Sequence, residues 1–214
     1  MHQSIKNLDN IKTELELISN KLPSIIAVSK TFSISKILPL IEHGHTHFGE
    51  NKVQEAVDKW TEVKKIHKGI KLHMIGKLQT NKVKLALPIF DYFHSLDNEK
   101  LARKLADEQK KIDKKPKIFI QINIGNELQK SGINKSNLNE FYSYCKKLEL
   151  DIIGLMCIPP VDIDSNKFFE EMRILSKNLG LSEMSMGMSA DYLFAARNSA
   201  TFLRIGSKIF GERS

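Results

Sequence analysis

Ile5, Leu8, Ile11, Leu15, Ile18 and Leu22 recur at steps of three and four. That spacing predicts an amphipathic helix, with Pro23 as its end. The next apolar run is continuous: Ile25, Ile26, Ala27 and Val28 read as a buried strand that leaves the core at Ser29 and Lys30. The two patterns then alternate. Helical spacing covers residues 34–43 (with Pro39 inside), 51–67, 79–87, 97–112, 136–148, 165–179 and 190–199. Between these lie short β-type runs: "HTHFG", "KLHMIG", "DYFHSL", "PKIFIQINI", "LDIIGLMCI", "EMSMGM" and "TFLRIG". Strands alternating with helices imply parallel pairing through right-handed crossovers. Eight such units predict the α/β class: a single (β/α)8 barrel with an extra N-terminal helix, an open doubly wound sheet being the alternative. No linker or low-complexity stretch divides the chain, so residues 1–214 are read as one domain.

Composition changes this picture little. The 214 residues carry a formal charge of +8. The densest basic cluster, "KKIDKKPK" at 110–117, has no aromatic residue interleaved with it. A single-strand binding platform needs such aromatics, so the lysines read as a solvated surface and no specific nucleic-acid partner is expected. Cys145 and Cys157 have neither metal spacing nor a disulfide framework. The N-terminus lacks a signal-peptide core, and no apolar run is long enough to span a bilayer. A cytoplasmic monomer without membrane contact is the expectation.

Chemistry in such barrels sits at the carboxyl ends of the strands. The residues there are Lys30 after strand 1, Asn51 after strand 2, His73 within strand 3, Ser189 after strand 7, and Arg204, Gly206 and Ser207 on and after strand 8. Loops after strands 7 and 8 are a recurrent phosphate site in this fold, and "GMSAD" and "RIGS" each place a glycine and a hydroxyl there. Strand 1 neighbours strand 8 once a barrel closes, so Lys30 would stand beside a phosphorylated ligand. A neutral lysine amine condenses with an aldehyde, and a nearby cation such as Arg204 favours the neutral form. Pyridoxal 5'-phosphate (PLP) meets these requirements, and so does a phosphorylated sugar aldehyde.

Other residues have plainer readings. His43, His45 and His47 resemble the start of a metal site, with His45 and His47 on one strand face, but strands 5, 6 and 8 offer no further ligands. His73 can be a hydrogen-bonded core histidine. Glu50 and Asn51 can cap a helix. Gln121 and Asn123 can form a satisfied polar layer, and Met156, Met184, Met186 and Met188 read as packing.

Seven motifs in order, "AVSKT", "FGENKVQEA", "HMIGKLQTNK", "IQINIGNELQKSGI", "GLMCIPP", "MSMGMSAD" and "LRIGSKIFGER", carry a resemblance over nearly the full length. The chain resembles the YggS/PROSC family of pyridoxal phosphate homeostasis proteins, related to the N-terminal barrel of alanine racemase. The resemblance implies that PLP is held as a Schiff base on Lys30, its phosphate by Ser189, Gly206 and Ser207, with Arg204 facing the pyridine nitrogen. Asn51 and His73 lie in motifs lining the same pocket. Two departures stand out: Ser199 and Ala200 where the family usually has a glycine before the last strand, and Ser207 where threonine is common.

An arginine only donates hydrogen bonds, so it disfavours a protonated ring, and an unprotonated ring is a weaker electron sink. Alanine racemase takes its second base from a tyrosine outside the barrel, and this sequence ends at Ser214, straight after the predicted barrel. The expectation is therefore a non-enzymatic role in intracellular PLP (vitamin B6) homeostasis, storage or delivery, with PLP-dependent apoenzymes as the implied partner class. A Schiff-base enzyme, a racemase or an aldolase, is the alternative, and a basic nucleic-acid binder is the third reading.

Overall fold

The structure, a computed structural model, describes residues 1–19, 21–127, 129–161 and 163–212. The chain runs α1 (Gln3–Glu16), β1 (Ser24–Val28), α2 (Ile34–Glu42), β2 (His47–Glu50), α3 (Val53–Ile66), β3 (Lys71–Met74), α4 (Val83–Ala86), β4 (Tyr92–Leu96) and α5 (Glu99–Ile112). It continues through β5 (Lys117–Ile122), α6 (Leu138–Lys147), β6 (Asp151–Cys157), α7 (Asn166–Asn178), β7 (Glu183–Ser185), α8 (Tyr192–Arg197), β8 (Phe202–Ile205) and α9 (Ser207–Phe210). All eight strands pair in parallel, in sequence order, and β1 closes on β8 through Ile26 opposite Arg204 and Ala27 opposite Ile205. The (β/α)8 barrel with a leading helix is therefore the fold.

Period-two alternation separates two cores. Ile26, Tyr92, Phe119, Met156 and Phe202 fill the barrel lumen. The opposite strand faces and the helices bury Phe48, Trp60, Phe93, Phe169 and their neighbours between sheet and helix layer. α1 lies outside that layer: Asn7 donates to the Ile209 carbonyl at 2.9 Å, and Glu14 accepts from Lys208 and from the Tyr192 hydroxyl. The extra helix thus braces the segment that follows β8.

Several boundaries differ from the sequence pattern. α1 stops at Glu16 rather than near Pro23, and Leu22 is exposed. Ser19 explains part of this, because its hydroxyl donates to the Lys21 carbonyl and accepts the Lys21 amide, a local turn that competes with helix. Pro39 sits inside α2 without ending it. β7 covers only Glu183–Ser185 of "EMSMGM", because Gly187 turns away at φ +87°. His45 precedes β2 and points its Nε2 at the His47 carbonyl (2.9 Å), so the two rings do not share a strand face. Among the basic cluster, Lys110, Lys111 and Lys114 pair with Glu149, Glu108 and Asp91. Cys145 and Cys157 are buried, and burial pushes both thiols up to about 12.

Candidate functional site

β1 ends at Val28, so Lys30 stands in the turn beyond the strand, half-buried. The residues on either side of it are fixed from outside the barrel. Ser29 is fully buried, and its hydroxyl donates to Glu50 Oε1 at 2.7 Å. The Lys59 ammonium, reaching in from α3, donates to the Ser29 carbonyl (3.0 Å), to Glu50 (3.0 Å) and to Glu55 (2.9 Å). Trp60 Nε1 adds a third donor to Glu50 at 2.9 Å. Thr31 adopts φ +70°, a conformation unfavourable for a β-branched residue, and its amide donates to Glu55 at 2.6 Å. A buried charge network therefore clamps the turn that carries Lys30. Burial raises the Glu50 carboxyl above its ordinary range, against the opposing pull of Lys59, Trp60 and Ser29.

The loops after β7 and β8 supply the neighbouring wall. Gly187 is required there: besides its positive φ, a Cβ would come 2.5 Å from the Ala195 methyl group. Gly187→Ala is expected to destabilise the fold by about 2–4 kcal/mol, strain and overpacking together, in a denaturant melt. Past that turn Ser189 Oγ accepts the amides of Gly206 (3.3 Å) and Lys208 (3.4 Å). Ser207 is exposed beside them. On the other side, a Cβ on Gly206 would come 3.3 Å from the Val28 Cβ, so glycine keeps the gap between β1 and β8 open. Gly76 does the same for Asn51, whose main chain would lie 2.5 Å from any Cβ there. Asn51 Oδ1 is buried with no hydrogen-bond partner among the described residues.

Arg204 is 5 % exposed and lies inside the barrel. Its Nη1 donates to Ser185 Oγ and its Nη2 to the Cys157 carbonyl, both at 2.8 Å. Burial draws its pKa down, with the nearby Cys157 and Asp191 opposing. His73 is fully buried, with Nδ1 2.9 Å from His94 Nε2 and Nε2 2.9 Å from His47 Nδ1. His94 Nδ1 lies 2.8 Å from Ser185 Oγ. Both nitrogens of His73 are thus engaged by other side chains in the lumen, and among the described residues it is linked to Arg204 through His94 and Ser185. Burial holds His73 and His94 well below the imidazole range, with Arg204 adding to the effect on His94.

A cavity of about 900 Å³ opens at the opposite end, lined by strand-start residues including Ser24, Tyr92, Lys117, Glu183 and Phe202. It is on the amino-terminal side, away from Lys30. Gln121 and Asn123 serve the loop after β5: Gln121 donates to the Ser131 carbonyl, and Asn123 brackets Glu127 with its amide group.

The donor set fits a phosphorylated aldehyde. Two hydroxyls and two amides stand at one place, an amine follows the adjacent strand, a guanidinium lies in the lumen below, and Asn51 offers an unmatched acceptor. The family described as the alanine racemase N-terminal domain matches residues 6–214. Curated proteins named pyridoxal phosphate homeostasis protein match from end to end. That of Vibrio cholerae is 34% identical, covering 97% of this chain and 95% of its own, and that of Haemophilus influenzae is 36% identical, covering 96% and 97%. The chain belongs to the pyridoxal phosphate homeostasis protein family.

Solved structures agree with that assignment. PipY of Synechococcus elongatus with PLP bound superposes with a TM-score of 0.87 at 31% identity, covering 98% of this chain and 100% of the other. Alanine racemase of Clostridium difficile shares the fold at a TM-score of 0.75 and 14% identity, and 57% of that chain is covered. In this family member, the residues that sequence reasoning missed are those that support the site: Glu55, Lys59, His94 and Ser185. One signal was available for His94, since Tyr92 and His94 in "DYFHSL" share a face at period two. Glu50 was visible but read as a possible helix cap. It is instead the buried centre of the clamp.

Proposed function

We propose that this chain, read as one domain, binds PLP at the carboxyl-terminal mouth of the barrel, holds it by a reversible covalent bond to Lys30, and serves its storage and delivery in the cell without turning over a substrate. The observation that carries the reading is the closure of β1 on β8, which sets the Lys30 turn beside Gly206 and Ser207. Ser189, Ser207 and the amides of Gly206 and Lys208 hold the phosphate, Arg204 lies toward the ring nitrogen, and Asn51 closes the second side. His73 acts through the lumen chain that ends at Arg204. When bound, the cofactor supplies an aldehyde that condenses with an amine and a ring able to withdraw electrons. Arg204 stays charged and only donates, so it offers no acceptor to a protonated ring nitrogen and keeps electron withdrawal weak. Recipients of the cofactor would be apoenzymes that use it. Two buried, unpaired thiols fit a reducing compartment such as the cytoplasm.

The test is an intact-mass spectrum of the protein incubated with PLP and reduced with borohydride. One reduced pyridoxyl-phosphate adduct per chain, mapped to Lys30, is the expected result. Absence of an adduct at saturating PLP overturns the reading. Ser189→Ala and Ser207→Ala are each expected to weaken binding roughly tenfold or more, as a hydrogen bond to a charged group contributes about 1.5–3 kcal/mol. Equilibrium dialysis measures it, and unchanged affinity in both variants would remove the phosphate assignment.

A further inference from the structure

His47, His73, His94, Ser185 and Arg204 come from five different elements, yet four contacts of 2.8–2.9 Å join them end to end through the lumen. The outer end, His47, is half-buried at the first position of β2. There it packs against the rings of Tyr92 and Phe202, which line the amino-terminal cavity. The inner end is the Arg204 guanidinium. We propose that this chain is a polarity-locked hydrogen-bond relay that positions Arg204 from the far mouth of the barrel. It rests on the cofactor reading only in the final link, from Arg204 to the bound ring.

The lock follows from counting donors. A neutral imidazole has one N–H and one bare nitrogen. Two rings in contact through nitrogens need one of each, so the tautomer of one histidine dictates the next. Arg204 has no acceptor, so Ser185 Oγ accepts from it. Ser185 is fully buried, and its hydroxyl proton has one acceptor among the described residues, His94 Nδ1. His94 then carries its proton on Nε2 and donates to His73 Nδ1. His73 in turn donates from Nε2 to His47 Nδ1, and His47 keeps its N–H on Nε2, facing outward. All three histidines are therefore Nε2–H tautomers. The reverse order leaves the buried Ser185 hydroxyl proton without an acceptor, which is unfavourable.

Protonation of His47 opposes this order. Uptake of one proton from water places N–H on both of its nitrogens, so His73 and His94 must each exchange to the Nδ1–H form while keeping one proton. The groups facing His47 are Lys71 on β3, Lys117 on β5, Asp91 before β4, and the His45 and His73 rings. Burial and the two lysines outweigh Asp91 and hold His47 below the ordinary imidazole range, so the Nε2–H order persists across neutral pH.

The test is a long-range proton–nitrogen correlation spectrum of cofactor-free protein labelled with 15N-histidine at neutral pH. His47, His73 and His94 are expected as single Nε2–H tautomers. Ser185→Ala removes the head of the chain, and His73 and His47 are then expected to become tautomer mixtures although neither touches residue 185. Different tautomers within the wild-type trio, or a His47 signal unmoved by Ser185→Ala, overturns the proposal. If Ser185→Ala fails to fold, His47→Gln at the half-buried end is read at His94, which is expected to keep its Nε2–H form because Ser185 still sets it; a His94 that becomes a tautomer mixture overturns the proposal. In PLP-loaded protein, Ser185→Ala is expected to move the absorbance maximum of the bound cofactor. Because the spectrum needs no cofactor, a locked chain in a protein that forms no PLP adduct would sink the functional reading and leave the relay standing. An adduct on a protein with uncorrelated tautomers would do the reverse.

Discussion

Replacing Lys30 with alanine is expected to abolish the proposed borohydride-stable adduct while leaving weak, non-covalent cofactor binding. This is the largest effect expected for function. The turn carrying Lys30 is held by Ser29, Thr31 and the Glu50–Lys59–Glu55 network. The hydroxyls and amides proposed to hold the phosphate remain, so absorbance titration is expected still to detect association, now with the spectrum of the free aldehyde. Intact mass after reduction reads the covalent part and dialysis reads the rest. An undiminished adduct in Lys30→Ala, relocated to another lysine, would defeat the assignment of Lys30.

Lys59→Met should produce the largest loss of stability. Glu50 has 0% of its side chain exposed and Lys59 has 9%, at 3.0 Å from each other. Removing the ammonium leaves a carboxylate buried without its countercharge, a change that costs about 3–5 kcal/mol. For a domain of this size that is a fall in Tm of roughly 6–20 °C, measurable by circular dichroism. Burial already raises the Glu50 carboxyl above the value of 4.5 that it has unperturbed, and loss of Lys59 raises it further. A carboxyl with a raised folded pKa binds more protons folded than unfolded, so stability grows as pH falls through that range. The Lys59→Met defect is thus greatest at neutral pH and shrinks toward acid. The double variant with Glu50→Gln should recover most of the loss. A single-variant Tm within 2–3 °C of wild type, less than about 1 kcal/mol, would show that the pair is not a clamp. Because the same network holds Ser29 and Thr31, the rate of adduct formation at Lys30 should fall with it.

Much of the candidate site was legible because it depends on local order. "AVSK", "GMSAD" and "RIGS" each place an amine or a hydroxyl just past an apolar run, and strand ends are where a barrel exposes its chemistry. Asn51 was legible as a position but not as an unmatched acceptor, because that depends on Gly76 letting two strands approach. His73 was recognised from its motif, yet both of its nitrogens turn out to face other histidines. That could not be read from a single strand, since His47, His73 and His94 lie on three strands and Ser185 on a fourth. Glu55 and Lys59 look like an ordinary i,i+4 surface pair in the sequence. Only the docking of α3 against the end of β1 turns them onto the Thr31 amide and the Ser29 carbonyl.

The sequence by itself determined the alternation of strands and helices, the barrel that follows from it, the family, and the strand-end positions of Lys30, Ser189, Arg204, Gly206 and Ser207. The family follows from the resemblance that seven motifs in order carry, and the rest from periodicity and spacing, which are properties of neighbours along the chain. The tertiary structure alone decided what holds those residues: the buried Glu50–Lys59–Glu55 clamp, the strained Thr31 turn, and the histidine chain beneath Arg204. Each is a set of contacts between residues far apart in sequence, and its energy comes from burial in a low-dielectric interior that no local pattern records.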